Sequence, residues 1–213
     1  MPPTAMTAST PAPWPEGAPA LHPSEPAPRL TPLPSSDLSA AMLATLERIP
    51  GAGLKGEGFP HHVLGELLYS PQLLGPFLEW WVSAKSTMAL SVREQELVIL
   101  RMGCLYASDY VWKHHVTVGR EFGIDDAELR AIRSSRYDGF GERERALLEL
   151  TDEMVNRRTV SAAVWAQYGR ALPARDLLDL IALISQYVLF ALTNNVLQVP
   201  VEPALAGQPG LGD

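Results

Sequence analysis

Glu96 and His115 are the ionisable residues of this sequence whose types and spacing best suit chemistry. A carboxylate hydrogen-bonded to an imidazole fixes the imidazole tautomer and raises its basicity, so such a pair moves protons near neutral pH. That suits enolisation, decarboxylation, lactone isomerisation or addition of water. A turn at Tyr106-Ala107 separates the two residues. If the flanking segments are helices crossing antiparallel, Glu96 lies about three helical turns before it and His115 about two turns after, and the side chains can meet. By residue type alone, a buried hydrogen-bonded pair that only tightens the fold is the stronger reading.

Around this pair stand residues with more ordinary explanations. Ser108 can donate to a substrate oxygen, but a helix N-cap explains it equally well, and its neighbouring amides can hold an anion. Tyr110, Val111 and Trp112 are candidates for the substrate wall, with core or subunit contact the commoner fate of such aromatics. The doublets His61-His62 and His114-His115 invite a metal, yet adjacent helical positions diverge by about 100°, so neither doublet converges on one ion by itself. No metal is expected. The single cysteine, Cys104, excludes an intramolecular disulfide, a Cys-x-x-Cys couple and a cysteine zinc cluster. On the apolar face of its segment it is a packing residue. No glycine-rich phosphate loop or Gly-x-Ser-x-Gly elbow occurs, so no nucleotide or other cofactor is expected.

The elements that must position these residues are helices throughout. Ser36 or Asp37 can cap a helix reaching Arg48, which Ile49-Pro50-Gly51 breaks. Pro60 opens a second through Tyr69, and Ser70-Pro71 starts a third with Leu73, Leu74, Phe77, Leu78, Trp81 and Val82. Ser91, with Glu94 in the first turn, begins the helix carrying Glu96. Ser108 and Asp109 begin the one carrying His115, which ends at Gly123. Short helices follow Asp125 and Ser161, with Glu142 to Asn156 between them. Pro173 leads into a long helix to about Leu197, with Leu177, Leu180, Ile181, Ile184, Val188 and Ala191 on its core side. Leu178, Leu189 and Leu192 leave little of its circumference polar, which predicts burial by the fold and a partner subunit together. No segment alternates with period two, and the fold class is all-α.

The 213 residues suit one domain with a tail, and 46% hydrophobic with 19% charged residues suits a compact soluble chain. Eleven of the 19 prolines precede position 35, so residues 1–34, Trp14 included, are expected to be a disordered tail. Residues 35–203 form the helical domain and 204–213 a flexible end. The net charge of −7, without a basic cluster, argues against nucleic acid. The stretch from Leu180 to Leu192 is too short and too interrupted to span a bilayer, so no membrane partner is expected. The first 20 residues lack the regions of a signal peptide, and a cytoplasmic location fits.

The run from Val92 to Arg101 (VREQELVILR), followed by Ser108 to Val116 (SDYVWKHHV), resembles the core signature of the carboxymuconolactone decarboxylase family. There an acid-bearing helix precedes a Ser/Cys-x-Tyr-x-Trp-x-x-His helix. The order continues through Phe122 to Leu129, Arg143 to Leu148, Thr159 to Ser161, Trp165 and Asn194 to Pro200. The resemblance implies an AhpD-like helical bundle from about Ser35 to Pro203, assembled as a homotrimer or hexamer. The AhpD-like branch uses an acid, a Cys-x-x-Cys pair and a histidine, which fall here on Glu96, Ser108, Val111 and His115. Both thiols are missing, and a serine hydroxyl cannot replace the thiolate that attacks peroxide. Decarboxylase-like relatives often carry Glu where Val111 stands. What the resemblance implies is therefore a cofactor-free, lyase-like enzyme acting through Glu96 and His115, with Ser108 beside them, on a small oxygenated acid or lactone. The alternatives are a non-catalytic oligomeric ligand-binding or scaffold protein and, third, a peroxidase.

Overall fold

Helix-start and helix-stop chemistry sets most element boundaries. The structure, a computed structural model, describes residues 28–47 and 61–212. The expectations for residues 1–27, for the Ile49-Pro50-Gly51 breaker and for Pro60 lie outside the described residues. Nine α-helices occur among those described: α1 (Ala40–Glu47), α2 (His62–Leu67), α3 (Pro71–Thr87), α4 (Val92–Leu105), α5 (Asp109–Glu121), α6 (Asp126–Arg133), α7 (Glu142–Arg157), α8 (Ala162–Val164) and α9 (Ala174–Leu197). No strand occurs among them, and the chain is all-α.

Capping boxes open α4, between Ser91 and Glu94, and α6, between Asp125 and Glu128. Pro71 stands in the first turn of α3, and Gly123 (φ 83°) follows α5 in the left-handed conformation that suits glycine there. The first helix starts later than expected. Ser35–Asp37 forms a 3-10 turn, and the Ser39 hydroxyl accepts from the Met42 N–H, so α1 begins at Ala40.

Helix α4 is the axis of the bundle. It packs on α5, α6, α7 and α9, and every residue from Glu94 to Cys104 is buried. One of its sides joins a core with α2, α3, α7 and α9, and the other joins a smaller core with α5 and α6.

Helix α9 turns Leu180, Leu183, Ile184, Tyr187, Phe190 and Ala191 inward. Ile181, expected in the core, instead lies outside at 48% exposure, in an apolar stripe with Leu178, Leu192 and Val196. An almost wholly apolar circumference leaves the phase of the inward face undetermined, and packing on α3, α4 and α5 sets it. This helix is long and apolar enough to cross a membrane, but one face is built into the protein core.

The described ends are held to the body. Within the expected tail, the Arg29 amide donates to the Leu197 carbonyl at 2.9 Å and the Leu33 amide to the Gly65 carbonyl at 3.1 Å. At the expected flexible terminus, the Leu211 amide donates to Asp109 at 2.8 Å, and Arg133 bonds the Leu211 carbonyl. Specific hydrogen-bond partners at each end, which composition does not reveal, make the difference.

Candidate functional site

The turn between α4 and α5 brings the two helices into close contact. Ala107 takes a left-handed conformation (φ 49°), and the Ser108 amide returns to the Gly103 carbonyl at 2.8 Å. A Cβ on Gly103 would stand 3.2 Å from the Trp112 amide nitrogen, so any larger residue would push the two helices apart by a few tenths of an ångström. This crossing delivers Glu96 to His115.

The His115 Nδ1 lies 2.5 Å from Glu96 Oε2, and the Tyr187 hydroxyl 3.1 Å from His115 Nε2. Lys85 Nζ stands 3.7 Å from the other Glu96 oxygen, outside hydrogen-bond distance. Glu96 is fully buried and Tyr187 nearly so. Burial lowers the His115 pKa, and Glu96 only partly offsets it, so the ring is neutral near pH 7. Burial alone would raise the Glu96 carboxyl, but His115 and then Lys85 outweigh it and hold it below its ordinary value. Burial, reinforced by the Glu96 charge, keeps Tyr187 a phenol far above neutral pH. The arrangement fixes the tautomer: Nδ1–H donates to Glu96, and Nε2 accepts from Tyr187. A substrate proton acceptor or donor at Nε2 is thus backed by a carboxylate, with a phenol O–H beside it.

The other expected residues are placed differently. Ser108 holds the N-cap position of α5, but its side chain makes no capping bond. Its ψ of 93° differs from the 159° and 174° at Ser91 and Asp125, which do close caps. Its hydroxyl is buried without a partner, an oxygen with hydrogen-bonding capacity unused. Tyr110 turns to Glu202, its hydroxyl 2.6 Å from Oε1. Val111 and Trp112, expected on a substrate wall, are core residues on opposite sides of α5, one in each cluster. Consecutive helical positions cannot share a wall. Cys104 is buried, and burial pushes its thiol up to about 12.

A second cluster lies one residue back along α5. His61, at the N-cap of α2, His114 on α5 and Glu202 beyond α9 bring a ligand atom each to within 4.8 Å of one another. His114 Nε2 stands 2.5 Å from Glu202 Oε2, and the His61 and His114 rings meet edge to face at 5.0 Å. Glu202 Oε1 accepts from the Tyr110 hydroxyl and the His62 amide, both at 2.6 Å. Burial drives His61 down to about 4, followed by the charge of His114. The bonds from His114, Tyr110 and the His62 amide hold Glu202 at about 2 against the opposing effect of burial.

Neither histidine doublet converges alone, but one member of each does, which only the tertiary fold can bring about. Lys85, Tyr187 and Glu202 were likewise not picked out by the sequence. The available signal for Tyr187 was its position beside Gln186 in an otherwise apolar run. A cleft of about 360 Å³ lined by Phe140, Glu142, Arg145 and Tyr168 among others shares no residue with either cluster.

Residues 76–153 match the carboxymuconolactone decarboxylase family, a span that includes α4 and α5 and hence both Glu96 and His115. Among solved structures, the debrominase Bmp8 superposes with a TM-score of 0.67 at 14% identity, over 82% of this chain and 92% of its own. A peroxidase-related protein from a Silicibacter species gives 0.62 at 15% identity, over 70% and 81%. The AhpD core of an alkylhydroperoxidase, a peroxidase-related protein from Ralstonia eutropha, gives 0.58 at 14%, over 66% and 76%. No curated protein matches the chain. The matched segment is thus similar to the carboxymuconolactone decarboxylase family, and the bundle shared with these structures is the AhpD-like fold.

Proposed function

We propose that the protein is a cofactor-free enzyme of the lyase type that moves a proton on a small oxygenated organic acid or lactone. His115 acts as acid and base, and Glu96 holds its tautomer. The observation that carries this reading is the chain from Tyr187 through His115 to Glu96, at 3.1 and 2.5 Å, around a neutral imidazole. In a decarboxylation, the carboxylate of the substrate leaves as carbon dioxide and its bonding pair passes into the neighbouring π system as an enolate. His115 Nε2 takes up one proton from solvent, with Glu96 stabilising the transient imidazolium, and passes it to that carbon. Tyr187 O–H is the donor beside Nε2 for the developing oxyanion, and the unpartnered Ser108 hydroxyl is a second candidate. Lys85 offers a positive charge to an anionic substrate. Bmp8, one of whose structures holds 2,3,4-tribromopyrrole, supports the idea that this bundle can accept a small cyclic molecule.

A thiol peroxidase has no support from Cys104, since a buried thiol pushed up to about 12 supplies no thiolate at neutral pH. The assay is turnover of 4-carboxymuconolactone by the wild type and by His115→Ala, with an organic hydroperoxide in parallel. Decarboxylation lost in the variant is the expected result. Hydroperoxide turnover would mean that a thiolate forms after all, and wild-type inactivity across a panel of lactones and oxo acids would leave a ligand-binding or scaffold protein.

The stripe of Leu178, Ile181, Leu192 and Val196 on α9 supports a homo-oligomer, a trimer or hexamer, with a second copy covering it. Sedimentation should return a multiple of the chain mass, and Ile181→Glu should return the monomer.

A further inference from the structure

We propose that His61, His114 and Glu202 form a binding site for one divalent transition-metal cation, with Zn²⁺ the ion the donor set fits best. This inference does not rest on the proton-transfer reading. Two imidazoles and a carboxylate are a donor set that binds zinc through three protein ligands and leaves a fourth position open. Mixed nitrogen and oxygen donors also accept Co²⁺ and other first-row ions.

The geometry favours an ion over a simple fastening of the C-terminal segment. The three donors come from three separate elements, the start of α2, the middle of α5 and the segment after α9, and their ligand atoms already lie within 4.8 Å of one another. Tetrahedral bonds of about 2.1 Å set ligand atoms about 3.4 Å apart, so the widest pair must close by at most about 1.4 Å. The Glu202 carboxylate is already oriented for coordination. Two donors, the Tyr110 hydroxyl and the His62 amide, hold Oε1, and Oε2 is directed at the histidines. Ligating carboxylates are themselves hydrogen-bonded in this way. The His62 ring is engaged elsewhere, at 2.9 Å from the Pro200 carbonyl. A hub that only fastened Glu202 to α5 would need His114 and Tyr110. It would have no use for a second imidazole, His61, facing His114 at 5.0 Å.

The test uses the full chain without an affinity tag, stripped by a chelator. Zn²⁺ is titrated by calorimetry, and Co²⁺ is followed through its visible absorption. One ion per chain is expected, with a Kd in the micromolar range or tighter. His61→Ala and His114→Ala should each weaken it by at least about 100-fold, beyond the 10–100-fold typical of an outer partner, while Tyr110→Phe should cost about 10-fold. His61→Ala keeps the hydrogen bonds of Glu202 intact, so its effect is not one of folding. His115→Ala should leave affinity unchanged. Absence of saturable 1:1 binding by the wild type, binding that survives His61→Ala, or binding that follows His115 instead of His114 would each overturn the proposal.

Discussion

Helix α4 buries two opposite charges five positions apart, Glu96 and Arg101, and the protein treats them differently. Arg101 is satisfied on every branch of its guanidinium: Nε lies 2.5 Å from Asp152, Nη1 2.9 Å from the Ile132 carbonyl and Nη2 2.7 Å from the Ser135 hydroxyl. The Tyr137 ring lies below it, at 5.8 Å. Glu96 has one oxygen on His115 and the other with only a lysine 3.7 Å away. A buried charge fully partnered by side chains with no spare capacity serves the fold. One partnered by a titratable ring whose far nitrogen meets a second hydroxyl has capacity left for a substrate. Burial alone does not separate them; the number of unused hydrogen-bonding positions does.

Substitution should therefore separate stability from activity along a single helix. The largest effect is expected from Arg101→Met, which leaves Asp152, Ser135 and the Ile132 carbonyl without their common partner. Breaking such a pair costs about 3 kcal/mol, which for a chain of this size lowers Tm by on the order of 10 °C in a thermal melt. Next, Glu96→Gln keeps shape and a hydrogen bond to His115 but removes the charge. Turnover should fall by about 100-fold while Tm moves far less than in Arg101→Met. Equal loss of Tm in the two variants would return Glu96 to the role of a structural pair. Tyr187→Phe removes the hydroxyl at Nε2 and should lower kcat by about 10-fold with KM little changed, because that donor matters most to the developing oxyanion.

The Glu96–His115 side of this contrast was legible in the sequence, the Arg101 side was not, and the difference has a physical cause. Glu96 and His115 were legible because each sits on its own helix on either side of one short turn, where local geometry alone fixes their meeting. The caps at Ser91, Asp125 and Ser161 were legible for the same reason. Tyr187 and Glu202 reach their sites from α9 and the chain beyond it, so only long-range packing places them. Ile181, expected in the core, lies outside because a helix apolar on nearly all sides carries no phase. Ser108 was assigned a cap by residue type, but its backbone angle, set by the left-handed Ala107 before it, withholds the hydroxyl from the helix.

The smallest expected effect sharpens the comparison at the other end of α4, where Glu94 is buried two residues from Glu96 and is fully partnered. Its Oε2 accepts from the Ser91 amide at 2.7 Å, and its Oε1 from Arg143 Nε at 2.5 Å. Burial would raise its pKa, but the Ser91 and Arg143 bonds outweigh burial, so the folded value lies below the ordinary 4.5. A carboxyl depressed by folding contributes stability that is fully present above its unfolded pKa and is lost as pH falls through the folded one. Glu94→Gln should accordingly cost about 1 kcal/mol at pH 7, the usual worth of a helix cap. The gap in Tm between wild type and variant should then close as pH falls below 4.5, with turnover at pH 7 unchanged. A gap that stayed constant down to acid pH would mean that the charge on Glu94 is idle and that its shape alone holds the start of α4. Glu94 and Arg101 would then no longer frame Glu96 as two charges employed by the fold.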